Sequence, residues 1–230
     1  VLSKAGICSR TVASEWIRAG RVAVDGRVVL DPESRIVDER AAVTVDGRRI
    51  SAARRAYLAF HKPRGYVTTR SDPSGRPTIY DLLDGLDAWV IAVGRLDLDT
   101  SGLLLLTNDT AFADRVASPE SHVAKTYRVT AKPRVPDGAL ERLRRGVVLA
   151  DGPTRPALVT RIADRGPSTV FEIAITEGRN RQVRRMVRAI GAKVVKLERR
   201  SIGPVALGDL AAGEVRPLAP GEIRALSAER

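Results

Sequence analysis

One cysteine, one methionine and two histidines occur in 230 residues, and aromatic side chains make up only 4% of the chain. A single thiol, Cys8, cannot form an internal disulfide, so packing rather than cross-linking has to hold the fold, and Cys8 itself is expected in a core. With His61 and His122 as the sole imidazoles, and no Cys or His pair at ligand spacing, a zinc site has little to be built from. No apolar run is long enough for a membrane span. No glycine-rich dinucleotide loop or P-loop is present either, so neither a resident nucleotide nor any other cofactor is indicated. The lone cysteine and the lack of a signal peptide lead to the expectation of a reducing cytoplasm. Val1-Leu2-Ser3 reads as helix interior with no initiating methionine, so natural first residues are expected to be missing.

What the chain does have is apolar material and positive charge. Hydrophobic residues make up 43%, enough for one large domain or a small and a medium one. Thirty-nine basic against twenty-seven acidic residues leave a formal charge of +12. Such an excess favours a polyanion through counterion release and steering, and nucleic acid is the obvious partner.

The first 50 residues form a unit of their own, with two short helical stretches, the second turning Val12, Trp16 and Ile17 inward, followed by short β segments. Asp25-Gly26 between Val22-Ala23-Val24 and Arg27-Val28-Val29 is a tight-hairpin signal, because both central positions tolerate positive φ; Asp46-Gly47 ends a second strand around Val43. Ser51 to Ala56 is small, polar and basic, a linker. A second domain over 57–230 opens on an apolar strand, Tyr57 to Phe60. The strand leads into His61-Lys62-Pro63-Arg64-Gly65, with Lys62 and Arg64 on a loop. A turn passes into a helix between Gly75 and Leu83, and Val90 to Val93 is a strand. Strands and helices of varied spacing imply an α+β domain rather than a parallel repeat. The monomer is the expected form.

Gly94-Arg95-Leu96-Asp97-Leu98-Asp99-Thr100-Ser101-Gly102 puts carboxylates in a polar turn that runs directly into Leu103 to Leu106, a core strand. Gly94 and Gly102 bracket the turn and allow backbone angles or close approaches denied to other residues. An acid in a tight turn is commonly architectural. Asp97 and Asp99 as a shared magnesium site, in a nuclease, lack the further oxygen ligands that hard cations gather.

Ala124 to Val129 alternates as a strand, with Lys125 and Tyr127 on one face. From Glu177 to Arg200 there are nine basic and two acidic residues. Within that stretch Arg181, Arg184, Arg185 and Arg188 recur at helical spacing opposite Val183, Met186, Val187 and Ile190, so one face packs and the other is a cationic stripe suited to phosphate.

The string Gly-Arg-Leu-Asp, two further residues, Thr-Ser-Gly and an apolar strand resembles the catalytic signature of ribosomal RNA pseudouridine synthases of the RsuA-like branch (RsuA, RluB, RluE and RluF). Lys62-Pro63-x-Gly65, Lys125-Thr126-Tyr127 and the Arg-Asn-Arg-Gln-Val-Arg-Arg string from Arg179 to Arg185 resemble its other motifs. Ser9-Arg10, Arg18-Ala19-Gly20-Arg21-Val22 and Val24-Asp25-Gly26 resemble the S4 RNA-binding module. The resemblance implies an S4-like helix-hairpin module ahead of a synthase domain with a mixed, mainly antiparallel sheet flanked by helices.

In functional terms the resemblance implies that a uridine in ribosomal RNA is isomerised without a cofactor, in free RNA or an assembly intermediate. Asp97 would be the nucleophile, Arg184 its partner, and Tyr127 the residue stacked on the base. RNA contacts would come from Arg95, Lys62, Arg64, Lys125, Arg179, Arg181, Arg185, Arg188, Arg10, Arg18 and Arg21. Asp72-Pro73-x-Gly75-Arg76-Pro77-Thr78 leans toward the large subunit. A noncatalytic RNA-binding or assembly factor is the alternative, with the Asp97 turn as architecture.

Overall fold

The computed structural model describes residues 1–3, 5–35, 41–51, 53–86 and 88–228. Helix α1 (Arg10–Arg18) begins where the Ser9 hydroxyl accepts a hydrogen bond from the Val12 amide at 3.0 Å, an N-cap that satisfies one of the otherwise orphan donors. Strands β1 (Val22–Val24) and β2 (Arg27–Val28) are joined by Asp25 and Gly26 at φ 49° and 79°, the left-handed pair that the Asp-Gly step predicts. Asp46 and Gly47, at φ 49° and 75°, do more than end a strand. They close a second hairpin between β3 (Val43–Val45) and β4 (Arg48–Arg49), giving a sheet ordered β2-β1-β3-β4.

Leu2, Cys8, Ala13, Val22 and Val43 form the core of this unit, and Val12, Trp16 and Ile17 pack against it half-buried. The expected first helix is absent among the described residues. Residues 1–3 and 5–8 turn instead, with the Ala5 amide donating to the Val1 carbonyl, because Gly6 sits at φ 73° and breaks any helix there. The linker is not loose. The buried Asn108 side chain accepts from the Ala56 amide and donates to the Arg54 carbonyl, both at 2.9 Å.

The larger unit runs through β5 (Tyr57–Lys62), a single 3-10 turn (Ile79–Leu82) where a helix was expected, β6 (Ile91–Val93), β7 (Ser101–Thr107), α2 (Thr110–Ala117) and β8 (Lys125–Lys132). It continues with α3 (Asp137–Arg145), the short hairpin β9 (Val148–Leu149) and β10 (Gly152–Pro153), β11 (Leu158–Arg165) and β12 (Ser168–Ile175). Helix α4 (Gln182–Ala189), β13 (Lys193–Ile202), β14 (Val205–Ala206), β15 (Val215–Pro217) and α5 (Pro220–Ser227) complete it.

Its main sheet is ordered β11-β12-β8-β13-β7-β5-β15, with β6 on β7 and β14 on β13. Every pairing is antiparallel except β13 with β7, so the sheet is mixed and mainly antiparallel, as expected. All seven residues of β7 are buried, because β7 lies between β5 on one edge and β13 and β6 on the other, with helices and loops on both faces.

That one parallel pairing sets the site. β7 enters the sheet directly from the Asp97 turn, and Ser101 and Gly102 pair with Glu198 and Arg199 of β13. Arg199 in turn faces Tyr127 of β8, which faces Ile173 of β12. Residues two apart share a face, so Lys125, Tyr127, Ile175, Leu197 and Arg199 line one concave surface beside the turn.

Candidate active site

The Asp97 turn is held by its backbone. The Thr100 amide donates to the Asp97 carbonyl at 3.1 Å, the Gly65 amide to Leu98 at 2.8 Å, and the Thr68 hydroxyl donates to the Leu96 carbonyl at 2.9 Å. The strongest brace is Lys62. Its ammonium donates to the carbonyls of Pro63, Asp97 and Thr100 at 3.0, 3.1 and 2.9 Å, which uses all three N–H groups, and the side chain is fully buried. Burial pulls Lys62 down to about 8, offset in part by Asp97 and Asp99. The expected loop lysine on RNA is therefore a strand residue that builds the turn from beneath.

Two guanidinium groups meet the carboxylates. Arg181 Nη1 lies 3.2 Å from Asp97 Oδ2 and 3.2 Å from Asp99 Oδ1. Arg184 stands farther from Asp97, with Nε at 3.9 Å from Oδ2, and uses Nη2 on the Asp99 carboxylate at 3.1 Å, the Asp99 carbonyl at 3.0 Å and the Thr100 hydroxyl at 3.2 Å. The arginine in closest contact with Asp97 is thus Arg181, while Arg184 secures the turn as well as facing the acid.

Arg181 reaches this place because it precedes α4 rather than belonging to it. It is the N-cap, left-handed at φ 47°, and helical spacing does not describe it. Burial alone would raise the Asp99 carboxyl, but the Arg181 hydrogen bond and the charges of Arg184 and Arg181 hold it below the usual carboxylate range. The two acids are thus neutralised by arginines, which leaves a magnesium pair without its negative field.

Asp97, half-buried, opens on a cavity of about 150 Å³ whose far wall is the Lys125, Tyr127 and Arg199 surface. Lys125 is buried and pulled down to about 8 by burial and by the charge of Arg199. Arg95 is exposed at the cavity margin, and Arg64 is exposed and close enough for its charge to lower Arg184.

The remaining expected contacts divide. Arg188, Arg10 and Arg18 are exposed, with no ion-pair partner among the described residues. Arg185 makes a two-pronged contact with Asp151 at 2.8 and 3.0 Å. Arg179 is spent on the carbonyls of Gly152 and Pro153 and on Glu177, fastening the approach to α4 onto the β9–β10 hairpin. Arg21 pairs with Asp46 and lies over Trp16. Those three arginines serve local structure because a carboxylate or carbonyl stands within reach of each.

Arg199 was not anticipated. Its signal was available: Arg199 and Arg200 are adjacent in a strand, so one of them has to face inward. It is 4% exposed, and its Nε donates to the Leu103 carbonyl at 2.6 Å.

A carboxylate thus stands in a cation-walled cavity, on a mixed sheet preceded by a small helix-hairpin unit. The family model described as RNA pseudouridylate synthase matches residues 56–189, and the S4 domain model matches residues 1–40. The chain is 36% identical to the ribosomal large subunit pseudouridine synthase B of Bacillus subtilis, over 99% of this chain and 94% of that one. It is 45% identical to an uncharacterized RNA pseudouridine synthase of Mycobacterium bovis, over 97% and 89%. A crystal structure of a pseudouridylate synthase superposes with a TM-score of 0.71 at 34% identity, covering 98% of this chain and 96% of that one. The chain belongs to the RNA pseudouridylate synthase family.

Proposed function

We propose that this enzyme converts a uridine of large-subunit ribosomal RNA to pseudouridine, with Asp97 as its nucleophile. The observation that carries the reading is the placement of Asp97, on a turn braced from beneath by Lys62 and clamped by Arg181 and Arg184, in one cavity with Tyr127. The relatives named as large-subunit synthases in Bacillus subtilis and Pseudomonas aeruginosa support the subunit.

A base inside an RNA stack presents no accessible sugar bond, so the target nucleotide has to be extruded into the cavity. Asp97 forms a bond to ribose C1′ as the C1′–N1 bond breaks, and that electron pair leaves with uracil. The ring turns, C5 bonds to C1′, and the carboxylate departs with its own pair. C5 then loses a proton and N1 gains one, so product and substrate are isomers and no electron donor or cofactor is required. Tyr127 stacks on the ring and holds it while it is detached.

Exposed Arg64, Arg95 and Arg188, with Arg10 and Arg18 of the S4-like unit, take phosphates. Such contacts position the RNA without naming the base. A single chain acting in the cytoplasm on ribosomal RNA or an assembly intermediate completes the reading.

The test is pseudouridine mapping by carbodiimide modification and primer extension across both ribosomal RNAs, from cells with the gene intact, deleted, or restored as Asp97→Asn. One large-subunit site lost on deletion and not restored by the variant is the expected result. An unchanged map overturns the proposal in favour of a noncatalytic RNA-binding factor, and restoration by Asp97→Asn overturns the nucleophile.

A further inference from the structure

Two cations of the cavity lining, Arg199 and Lys125, make no ion pair among the described residues. Arg199 is 4% exposed, lines the cavity, and has a terminal nitrogen, Nη2, without a hydrogen-bond partner among the described residues. A buried guanidinium N–H left unpaired is costly, and native folds rarely keep one without a use. Its position is not an accident of a loose side chain: Nε is fixed on the Leu103 carbonyl at 2.6 Å, and Nη1 lies 3.5 Å from the Tyr127 hydroxyl. Lys125 lies on the same face of β8 two residues from Tyr127, where burial and then the Arg199 charge depress it. Two like charges placed together inside a protein repel, so the arrangement stores a demand for negative charge.

The source of that charge follows from depth. Phosphates of an extruded nucleotide stay at the rim, where Arg95 is exposed. Beside the two cations the lining has apolar Ile175, Leu197 and Ile202, with Glu177 and Gln182 hydrogen-bonded to each other, and a cavity of about 150 Å³ accepts a six-membered ring.

We propose that Arg199 and Lys125 form an anion floor that receives the carbonyl oxygens of the target uracil and stabilises the negative charge it carries while detached from the ribose. The inference rests on the synthase reading above. When the C1′–N1 bond breaks, its electron pair spreads over N1 and the ring oxygens O2 and O4. Donors already in place lower the barrier to that departure and also retain the free ring until C5 is presented. Arg199 and Lys125 would then be catalytic residues distinct from the Asp97 clamp.

The experiment uses the intact chain and an RNA oligonucleotide spanning the uridine that mapping assigns to it. Single-turnover rates are measured with uridine, 2-thiouridine or 4-thiouridine at the target, and with methylphosphonates replacing its flanking phosphates, for wild type, Arg199→Gln, Arg199→Lys and Lys125→Met. Arg199→Gln is expected to lose about 10²–10³-fold in rate, the loss that follows removal of one preorganised donor to a developing anion, with RNA affinity unchanged.

One thio substitution should slow the wild type about tenfold and leave Arg199→Gln unaffected, with Arg199→Lys intermediate, since a removed contact cannot be lost twice. Should Arg199→Gln not fold, Lys125→Met carries the same comparison. Thio effects equal in wild type and variant, or coupling to the methylphosphonates instead, overturn the floor. A wild type that makes no pseudouridine, or an active Asp97→Asn, overturns the synthase reading, so the two failures are distinct.

Discussion

A Cβ atom on Gly102 would stand 2.3 Å from the Arg199 carbonyl oxygen and 2.5 Å from its amide nitrogen. The start of β7 therefore touches the backbone of β13 where the sheet's one parallel pairing joins the Asp97 turn to the cavity floor. Gly102 also stands at φ 110°, a conformation other residues adopt only under strain. Gly102→Ala should cost about 3 kcal/mol or more, by clash with backbone that cannot rotate away. Urea unfolding measures it, and a change of only a few tenths would contradict the close approach.

Lys62→Met keeps the volume and removes the three donors. The carbonyls of Pro63, Asp97 and Thr100 then lose their partner inside the protein, at about 1–3 kcal/mol for each that water cannot reach. Stability falls, and single-turnover rate falls further than affinity for RNA, because the turn that aims Asp97 loosens. Equal loss of rate and affinity would make Lys62 an RNA contact after all.

Arg188 and Arg185 are neighbours on the sequence stripe with opposite fates. Arg188 is exposed and Arg185 is bound to Asp151. Arg188→Ala should weaken RNA binding and lower the slope of log affinity against log salt by about 1, whereas Arg185→Ala should leave the slope alone. Titrations over a range of salt concentrations separate them.

Lys125 contributes a pH dependence. Held at about 8 rather than its ordinary 10.5, it is charged below that value and neutral above, so the rate should fall on the alkaline side with an apparent midpoint near pH 8. Stability moves the other way. Between about 8 and 10.5 the unfolded chain holds a proton on Lys125 that the folded chain has lost, so the contribution of this group to stability rises with pH. Lys125→Met should remove this group's part of both dependences and leave that of Lys62, which is also held at about 8, and a rate profile unaltered in that variant would remove Lys125 from the site.

Much of the molecule was legible in its residues because the evidence was local. The Asp-Gly steps fix two hairpins by the φ values they permit, the Leu103 to Leu106 run can only be interior, and Val183, Met186 and Val187 mark the packed side of α4 by their spacing. The helix expected before Leu83 reduced to one 3-10 turn, and the one expected at the start became turns around Gly6, since short segments take their form from what covers them.

Composition, motif order and periodicity by themselves determined a basic two-part α+β protein, its family resemblance, the Asp97 turn, and the Tyr127 strand. Tertiary structure alone decided which cations are spent and which are available. A lysine or arginine carries the same charge in any sequence, but its use depends on what lies within about 4 Å, the range of an ion pair. That is why Lys62 lies beneath the turn, Arg179 and Arg185 are committed elsewhere, Arg181 reaches Asp97 from a left-handed cap, and Arg199 keeps one free nitrogen in the cavity.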